Sequence, residues 1–393
     1  MKEINPDNVK KADIAVGIPS FNEADNIAFV VKQIDKGLVE YFNQKSAVII
    51  NVDNNSPDNT GKVFMETKTT TPKIYISTPI EIHGKGNNLY NFFQKIKELG
   101  VRAAMTVDAD LKSITPEWVK CFIGAVFEGY DFLSPIYYRH KYDASITNHL
   151  CYPLVYGLLG FDIRQPIGGD MAFSKEMAEY WLQQEWEEVV RQYGIDIFMT
   201  LNAIKYKGKL GQVNLVAKIH KPSAPKLGPM FLAVAETLFN FLFKNQHLWQ
   251  KEVKIVRPSL VCEVSYQTPS QELILDDKQI EKSAISEFKL YYQIIKPFIS
   301  QEVRILLEKM FLEEKFLKID ANLWPKIVYE VLYIYQNNPE NREEVIKLLR
   351  ALYFGRVSSF VREVRDKTQE EAEKVIQIQA QNFFEARKVL LNH

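Results

Sequence analysis

Two aspartates, Asp108 and Asp110, stand two positions apart directly after an apolar run that ends at Val107. Carboxylate oxygens are the ligands that hard divalent cations prefer, and such cations also bridge the phosphates of nucleotides. An isolated Asp-x-Asp is more often a polar turn at the end of a strand. Other apolar runs, however, also end in polar clusters: Pro19–Glu23, Asp53–Asp58 and Ile82–Lys85. This context favours a site for a cation and a nucleotide.

Two glycine clusters accompany the paired carboxylates. In His83–Asn88, glycines flank Lys85, so the backbone can approach a ligand closely while the lysine offers a charge to phosphate. The spacing and ending of a P-loop are absent. In Arg164–Asp170, Ile167, Gly168 and Gly169 follow a proline and suit a tight loop whose amides face a ligand. For both clusters a plain structural turn remains the alternative.

Three further positions carry side chains that suit catalysis or binding. Asp196 begins an apolar helical run, either as a reacting carboxylate or as a helix cap. His220 suits the nitrogen ligand of a metal otherwise held by carboxylate, although a lone histidine is more often structural. Arg139 can fork onto a carboxylate, and Asp143 and Thr147 have the spacing of one helix face. A solvated helix start is the alternative there.

The elements that must position these residues follow from the alternation of apolar runs and helical periods up to about Val216. We expect strands at Ile14–Ile18, Ala47–Val52, Ile74–Ser77, Met105–Val107 and Phe132–Ile136. Continuous apolar runs with helices between them are typical of a mostly parallel sheet covered on both faces. In such α/β sheets, ligands bind beyond the carboxyl ends of the strands, which is where the polar clusters lie.

From about residue 225 the strand runs give way to long amphipathic helical segments. Among them are Val303–Leu317, Ile327–Tyr335, Glu344–Val364 and Glu370–Leu391. A length of 393 residues also favours two domains. We therefore predict an α/β domain at 1–224 and a helical domain at 225–393.

Composition excludes several classes of protein. Lys+Arg and Asp+Glu both total 49, so no bulk field attracts nucleic acid. The three cysteines have no paired spacing, which argues against a disulfide scaffold or a cysteine zinc site. The longest apolar stretches, Leu150–Ile163 and Met230–Phe243, are short for a membrane span, and the N-terminus lacks the apolar run of a signal peptide. We expect a soluble cytoplasmic protein and leave a homodimer or a higher oligomer open.

Taken together, the motifs resemble a known family. Pro19–Glu23, Val52–Thr60 and Asp108–Asp110 look like the nucleotide-sugar half of a GT-A glycosyltransferase. Gln165–Gly169, Tyr193–Asp196 and His220 resemble the retaining enzymes mannosylglycerate synthase, glucosylglycerate synthase and glucosyl-3-phosphoglycerate synthase. The likeness to mannosylglycerate synthase extends loosely into the helical half. A Rossmann-like GT-A domain of 1–224 and a helical domain are what the resemblance implies.

The resemblance also implies roles for individual residues. The donor would be an ADP-, UDP- or GDP-hexose, and the residues near it would be Pro19, Phe21, Glu23, Asp53, Lys85, Asp108 and Ala109. Asp110 and His220 would hold Mg²⁺ or Mn²⁺ on the diphosphate. The acceptor would be held by Arg139, Asp143, Thr147, Ile167, Gly168 and Gly169. Asp196 and Asp110 would be the catalytic carboxylates, with Asp196 near the acceptor hydroxyl or the donor sugar.

The reaction implied is transfer of a hexose, with retained anomeric configuration, to the 2-hydroxyl of D-glycerate. The cluster Asp53–Thr60 is closer to the glucose-transferring relatives, which favours glucose. Phosphoglycerate-using relatives carry an arginine two positions before the threonine, where this chain has Ser145, so we predict a preference for D-glycerate over 3-phosphoglycerate. The product would be a compatible solute.

Four alternatives remain open. Mannosylglycerate synthase or glucosyl-3-phosphoglycerate synthase is the nearest, and a polymer-forming or lipid-linked transferase of the same fold is another. A sugar-nucleotide nucleotidyltransferase belongs to a different class, but such enzymes carry a glycine-rich signature after the first strand, and Gly17–Phe21 is not one. A catalytically inactive scaffold is disfavoured by the intact acidic residues.

Overall fold

The apolar runs of the first half of the chain form the strands of one mixed sheet. The computed structural model describes residues 2–221, 227–265, 270, 272–313 and 316–391. The strands among them are β1 (Lys2–Ile4), β2 (Ile14–Ser20), β3 (Ala47–Asp53), β4 (Lys73–Ser77), β5 (Ala103–Thr106), β6 (Phe132–Tyr138), β7 (Met171–Ser174), β8 (Leu210–Ala217) and β9 (Ser259–Glu263). Across the sheet they follow the order β1-β4-β3-β2-β5-β7-β6-β8-β9.

Most neighbouring strands are parallel, as the continuous apolar runs predict. The pairs β2–β3, β3–β4, β2–β5, β6–β8 and β8–β9 are parallel, whereas β1–β4, β5–β7 and β6–β7 are antiparallel. The reversed strand β7 pairs Met171 with Thr106 at the end of β5. Because β7 runs against β5, the loop that leads into β7 lies beside the residues that leave β5.

Successive residues of each strand enter different cores, so the sheet is covered on both faces. Ile14, Val16 and Ile18 of β2 join one buried cluster with the first and fourth helices of the chain, and Ala15 joins the other. In β3, Ile49 lies in the first cluster, and its neighbours lie in the second. Burial on both faces explains why these strands read as continuous apolar runs rather than as alternating ones.

The α-helices in chain order are α1 (Ile27–Tyr41), α2 (Thr60–Glu66), α3 (Lys85–Leu99), α4 (Pro116–Phe127), α5 (Tyr152–Leu154), α6 (Lys175–Leu182), α7 (Glu188–Arg191), α8 (Ile195–Tyr206), α9 (Leu227–Lys244), α10 (Asp277–Ile295), α11 (Gln301–Glu308), α12 (Leu323–Asn337), α13 (Arg342–Glu363) and α14 (Gln369–Leu391). Residues Thr147–Cys151, Val155–Leu159 and Lys309–Glu313 are π-helical, and short 3₁₀ turns occupy Gln246–Leu248, Lys296–Phe298 and Pro339–Asn341. The α/β fold class with a helical C-terminal part is confirmed.

The chain divides into two compact units, and each is made of several segments. Unit 1 comprises Met1–Tyr138, Arg164–Pro225 and Pro258–Gln271, and unit 2 comprises Arg139–Ile163, Lys226–Arg257 and Glu272–His393. The predicted boundary at 224 is a single cut, and the structure differs from it in two places. Residues 139–163 leave the α/β unit for the helical one, while residues 258–271 return to the sheet as β9.

Unit 2 is held together by aromatic and polar packing between its helices. Phe231 stacks on Tyr353 with ring centroids 4.4 Å apart, and Phe288 stacks on Phe311 at 4.2 Å. Arg356 is fully buried, and its guanidinium donates to Gln379 Oε1 at 2.8 Å and to the Ile319 carbonyl at 2.9 Å. Since an unpaired buried charge is costly, these acceptors fix how the helices of this unit meet.

Two cysteines distant in the sequence form a disulfide within unit 1. Cys121 of α4 and Cys262 of β9 are bonded, with their Cα atoms 5.5 Å apart, while Cys151 is a buried free thiol. The lack of a paired spacing argued against a disulfide scaffold, and it gave no sign of this single bond. The bond joins the edge strand β9 to a helix across 141 positions, a relationship that no local spacing shows.

One described helix, Leu227–Lys244, has the length and mean hydropathy of a membrane-crossing segment, and half of it is buried inside the structure. It contains the stretch Met230–Phe243 that the sequence marked as apolar.

Candidate active site

Lys85 lies between two carboxylates at the ends of different elements of unit 1. Its Nζ is 2.9 Å from Asp108 Oδ1 and 3.1 Å from Asp196 Oδ2. Lys85 opens α3, Asp108 follows β5 by two residues, and Asp196 belongs to the first turn of α8. The three side chains are 19%, 24% and 16% exposed, so the group is largely withdrawn from water but still reachable. The structure thus brings together three residues that the sequence singled out separately.

The opposite charges in this group stabilise one another's ionised forms. Burial opposes the ionised forms, but the carboxylates of Asp108 and Asp196 outweigh it and raise the pKa of Lys85 well above its usual range. Burial likewise opposes ionisation of Asp108, yet the ammonium groups of Lys218 and Lys85 hold the pKa of Asp108 well below its usual range. Lys85 is therefore a cation and Asp108 an anion at neutral pH.

The two carboxylate oxygens of Asp196 differ in their hydrogen bonding. Its Oδ2 accepts the hydrogen bond from Lys85, whereas Oδ1 is buried and has no partner among the described residues. Its side chain does not cap α8, whose N-cap is Gly194 without a side-chain bond. A buried carboxylate oxygen without a partner is costly, and a substrate hydroxyl would satisfy it. The capping interpretation of Asp196 is not what the structure shows.

The structure adds residues that sequence reasoning missed. Lys218 donates to Asp108 Oδ2 at 2.7 Å and to Asp170 Oδ2 at 2.8 Å, and the hydroxyl of Tyr137 donates to the same Asp170 oxygen. Burial raises the pKa of Asp170, although Lys218 opposes that effect. Asp170 ends the glycine cluster Arg164–Asp170, and Lys218 lies two positions before His220. Their closeness in sequence to these motifs was the one signal that could have identified them.

The glycine loop before β7 is shaped to fit Asp108. Gly169 has φ +84°, and a Cβ placed on it would lie 2.4 Å from Asp108 Oδ2. A Cβ on Gly168 would lie 2.2 Å from Pro135 Cγ. Both positions therefore need glycine, one for its left-handed backbone and both for close approach. Ile167 precedes them and is half-buried.

Asp110 and His220 belong to segments that are bonded to each other. The backbone nitrogen of Lys221 donates to Asp110 Oδ2 at 3.1 Å, and Lys112 N donates to the Ile219 carbonyl at 2.8 Å. His220 Nδ1 lies 2.6 Å from the carbonyl oxygen of Lys221. Because a carbonyl only accepts, the ring donates from Nδ1, and the lone pair of Nε2 remains for a ligand.

This donor set fits a divalent cation that a substrate also binds. A carboxylate and an imidazole nitrogen suit Mn²⁺ and Mg²⁺ when most other ligands are phosphate and water oxygens. Among the residues that the structure describes, no cluster of three His, Cys, Asp or Glu side chains has the arrangement of a metal cage. A site with two protein ligands is the kind that a nucleotide diphosphate completes.

Glu23 follows the carboxyl end of β2, and Asp110 follows the carboxyl end of the parallel strand β5, so both lie at the same edge of the sheet. Lys221 Nζ is 2.9 Å from Glu23 Oε2 and 2.8 Å from Asp25 Oδ1, and Asn26 Nδ2 donates to Glu23 at 3.0 Å. Burial raises the pKa of Glu23, although the hydrogen bonds from Lys221 and Asn26 oppose that rise. Asn26 is the N-cap residue of α1, but its side chain donates to Glu23 and Asp25 rather than capping the helix.

The other residues predicted near the donor differ in accessibility. Phe21 is 43% exposed, and its ring meets His83 edge-on with centroids 5.9 Å apart. Pro19 lies within β2, and Ala109 is buried. A contact of these two with a ligand would run through the backbone rather than the side chain.

Asp53 is fully buried and its carboxylate is already engaged. Its oxygens accept from Ser20 Oγ at 2.7 Å, from Ser56 N at 2.7 Å and from Tyr75 Oη at 3.0 Å. These bonds tie the end of β2 to the loop after β3. In the described structure Asp53 organises that loop, and its predicted contact with the donor stays a prediction.

The residues Arg139, Asp143 and Thr147 lie in unit 2 rather than with the other site residues of unit 1. Arg139 Nη1 pairs with Asp143 Oδ2 at 2.9 Å. Ala144 has φ +54°, so the chain turns after Asp143, and Thr147 opens the π-helix Thr147–Cys151. The expectation that Asp143 and Thr147 share a helix face is therefore wrong, and their role with the acceptor stays a prediction.

The polar side chains around Ser145 form hydrogen bonds with other residues of unit 2. The hydroxyls of Ser145 and Tyr353 are 2.5 Å apart. Lys141 Nζ donates at 2.8 Å to the carbonyl oxygens of Val364, Arg365 and Lys367, close to the end of α13. Burial and the charge of Lys141 lower the pKa of His140, which favours its neutral form. Lys141 is therefore committed elsewhere and His140 favours its uncharged form, so neither is well suited to replace the arginine of the phosphoglycerate-using relatives.

Comparison with solved structures finds distant likenesses. Glucosyl-3-phosphoglycerate synthase from Mycobacterium tuberculosis in complex with Mn²⁺, uridine diphosphate and glucosyl-3-phosphoglycerate is 23% identical, with a TM-score of 0.48 over 58% of this chain and 80% of that chain. The same enzyme with Mn²⁺, uridine-diphosphate-glucose and phosphoglyceric acid gives 23% identity and a TM-score of 0.49, covering 58% and 79% of the two chains. With Mg²⁺ and uridine diphosphate it gives 22% and 0.48, covering 58% and 79%.

No family model and no curated protein matches the chain. These structural likenesses are distant.

Proposed function

We propose that this chain is a metal-dependent retaining glycosyltransferase that moves glucose from a nucleoside-diphosphate glucose to the 2-hydroxyl of D-glycerate. The observation that carries the proposal is the group Asp108–Lys85–Asp196, in which a largely buried cation lies beside a carboxylate with one oxygen that has no partner among the described residues. Such a pair can act on both sides of a reacting sugar. The cation serves the departing diphosphate, and the carboxylate serves the sugar or the incoming hydroxyl.

The departing group is the first requirement of the reaction. Breaking the bond between the sugar and the diphosphate builds negative charge on the leaving oxygen, and a preorganised cation lowers that barrier. Lys85 is held as an ammonium by two carboxylates and is 19% exposed, so it can meet a phosphate oxygen. Asp110 and His220 would hold Mg²⁺ or Mn²⁺, which supplies charge neutralisation on the diphosphate when bound.

The second requirement is a group that meets the acceptor hydroxyl or the charge on the sugar, and Asp196 can supply it. Its Oδ1 can accept a hydrogen bond from the acceptor hydroxyl or lie beside the positive charge that develops on the sugar ring. Its Oδ2 is fixed by Lys85 at 3.1 Å, so the carboxylate does not have to reorganise during the reaction. The contacts support either task and do not separate them.

Retention of configuration is proposed to proceed by attack on the face that the diphosphate leaves. Both oxygens of Asp108 accept hydrogen bonds from lysines, which makes Asp108 a poor nucleophile for a covalent intermediate. Oδ1 of Asp196 has no partner among the described residues, but we assign it to the acceptor hydroxyl or to the charge on the sugar, and front-face attack follows from the resemblance to the retaining enzymes. In front-face transfer the bond from sugar C1 to the diphosphate oxygen breaks and the bond from C1 to the glycerate oxygen forms. The hydroxyl proton passes to the leaving phosphate.

The choice of D-glycerate over 3-phosphoglycerate rests on unit 2. Ser145 stands where an arginine would bind phosphate, and its hydroxyl is bonded to Tyr353. Lys141 is committed to three carbonyl oxygens, and His140 favours its neutral form. A bidentate guanidinium is among the stronger polar partners of phosphate, so its loss favours the unphosphorylated acceptor.

A screen of donors against acceptors tests the proposal. Purified protein with Mg²⁺ or Mn²⁺ is incubated with ADP-, UDP- and GDP-glucose and with GDP-mannose, each with D-glycerate or 3-phosphoglycerate. We expect release of a nucleoside diphosphate together with a hexosylglycerate. Release of pyrophosphate from a sugar phosphate and a nucleoside triphosphate would instead identify a nucleotidyltransferase. No turnover of any donor would refute the proposed function.

A further inference from the structure

Lys218 lies directly after β8 and its side chain is 5% exposed. Its Nζ donates to Asp108 Oδ2 at 2.7 Å, to Asp170 Oδ2 at 2.8 Å and to the Gly168 carbonyl at 2.8 Å. An ammonium group has three protons to donate, and each of these acceptors takes one. Burying such a cation is costly unless it is paired in this way, so the arrangement is specific.

The three acceptors belong to segments that meet at the reversed strand. Asp108 leaves β5, whereas Gly168 and Asp170 lead into β7, which runs antiparallel to β5. Asp170 Oδ1 also accepts from the backbone nitrogen of Asp108 at 2.9 Å, and Tyr137 donates to Asp170 Oδ2. Asp108 is thus fixed through both its backbone and its side chain by groups that are buried beneath it.

Asp108 in turn fixes Lys85. Positive and negative groups alternate from Asp170 through Lys218, Asp108 and Lys85 to Asp196, where the series ends at an oxygen without a described partner. Lys85 is shared between two carboxylates at 2.9 Å and 3.1 Å. Without Lys218, Asp108 would retain one cationic partner instead of two and would draw Lys85 toward itself and away from Asp196.

We propose that Lys218, together with Asp170 and Tyr137, is a positioning unit for the transfer reaction. Lys218 does not need to touch substrate. It holds Asp108 and the Gly168–Gly169 loop in place, and through Asp108 it keeps Lys85 between the leaving diphosphate and Asp196. This inference rests on the proposed function, because the effect of misplacing Lys85 is measured on the transfer of glucose.

The test compares variants of the two lysines at opposite ends of β8. Lys218→Met removes the charge at similar volume. Because a shift of about 1 Å at a reacting group costs on the order of 100-fold, we expect kcat to fall roughly 30- to 100-fold with the donor KM changed less than about threefold. Lys209→Met is the matched control, since Lys209 Nζ is 3.5 Å from the Glu128 carbonyl and lies over the Tyr130 ring. It should keep the wild-type kcat and KM.

Conservative variants separate positioning from packing. Lys218→Arg keeps a cation, and we expect it to recover at least about tenfold over Lys218→Met, although it is larger. A residue that only fills space would show the opposite order. Tyr137→Phe removes one hydroxyl from Asp170 and leaves the charges intact. We expect a fall of about three- to tenfold in kcat at unchanged donor KM. If Lys218→Met fails to fold, an unchanged kcat in Tyr137→Phe overturns the proposal.

A measurement without turnover distinguishes failure of this inference from failure of the proposed function. In ¹H–¹⁵N spectra of the lysine ammonium groups, the Lys85 signal, assigned by its loss in Lys85→Met, should move in Lys218→Met and stay in place in Lys209→Met. An inactive wild type in which the Lys85 signal still moves would refute only the function. An active wild type in which neither kcat nor the Lys85 signal changes would refute the positioning role.

Discussion

The backbone nitrogen of Lys221 lies 3.1 Å from Oδ2 of Asp110, although the two residues are 111 positions apart in the chain. This bond places His220, the residue before Lys221, beside the loop that follows β5. The convergence of Asp110 and His220 is the condition on which a shared cation depends. The bond joins two segments of unit 1 that carry these residues, and the shared cation stays a proposal.

We predict that removing either of these ligands abolishes the dependence on a divalent cation. In Asp110→Ala and His220→Ala, kcat should fall at least about 100-fold, because charge on the departing diphosphate is no longer neutralised. The midpoint of thermal unfolding should stay close to that of the wild type. The exposed residues Asp366 and His247 provide matched controls when changed to alanine. Wild-type activity of both ligand variants in EDTA would contradict the ligand assignment.

Asp196→Asn should act on the chemical step rather than on the fold. The amide keeps the shape of the side chain but loses the charge that faces the sugar or the acceptor hydroxyl. We expect kcat to fall about 100-fold while the donor KM stays within a few fold, measured by initial rates at saturating metal. Asp131→Asn in the same unit is the control for loss of a carboxylate. Full activity of Asp196→Asn would remove this residue from the mechanism.

Ser145→Arg should shift the acceptor preference toward 3-phosphoglycerate. The new guanidinium offers the bidentate contact with phosphate that the serine hydroxyl, bonded to Tyr353, does not. We expect the ratio of kcat/KM for 3-phosphoglycerate to that for D-glycerate to rise at least about tenfold. Ser145→Ala removes the hydroxyl without adding charge and should leave the ratio unchanged. A strong preference of the wild type for the phosphorylated acceptor would reverse this reasoning.

Asp58 should make stability depend on pH on the acid side. Burial opposes its ionised form, but hydrogen bonds from Thr60 and from the Ala24 nitrogen prevail and lower the pKa of Asp58. A carboxyl whose folded pKa is depressed stabilises the fold above its unfolded pKa of about 3.9, and this contribution is lost as pH falls through the folded pKa.

The measurement for Asp58 is urea unfolding of wild type and Asp58→Asn. We expect a difference of about 1–2 kcal/mol at pH 7, somewhat below the roughly 1.5–3 kcal/mol of hydrogen bonds to a charged group because Asp58 is only half-buried, and a smaller difference near pH 3. Asp366→Asn, an exposed change, should show no such dependence. A difference between wild type and Asp58→Asn that stays constant with pH would show that Asp58 does not act through its charge.

The sequence was sufficient for the elements that its own local pattern defines. Five strands were predicted because apolar runs buried on both faces leave a clear signal. The helical period predicted α12, α13, α14 and the region of α11, whereas no predicted segment covers α10. Four strands, β1, β7, β8 and β9, were not predicted, and for two of them the physical reason is clear. β7 has four residues beside a glycine loop, and β9 is a partly exposed edge strand that returns to the sheet from a distant segment.

The candidate site was predicted in its parts but not in its connections. Lys85, Asp108 and Asp196 were singled out separately, yet their shared ion pairs span 23 and 111 positions and depend on tertiary structure. Lys218 belongs to no motif that the sequence shows. Its contacts with Asp108 and Asp170 form only in the folded chain, where β7 runs antiparallel to β5. The composition of the segment 139–163 gives no sign that it belongs to unit 2. The segment lies in the chain between β6 and β7, which are both strands of unit 1.

The most direct test of glucosyl transfer is ¹H NMR of the product formed from a nucleoside-diphosphate α-glucose and D-glycerate with Mg²⁺ or Mn²⁺. Our account predicts glucose joined through C1 to the 2-oxygen of glycerate, with the α configuration of the donor retained. Free glucose alone, a β-linked product, or an unchanged donor with every nucleotide would contradict it.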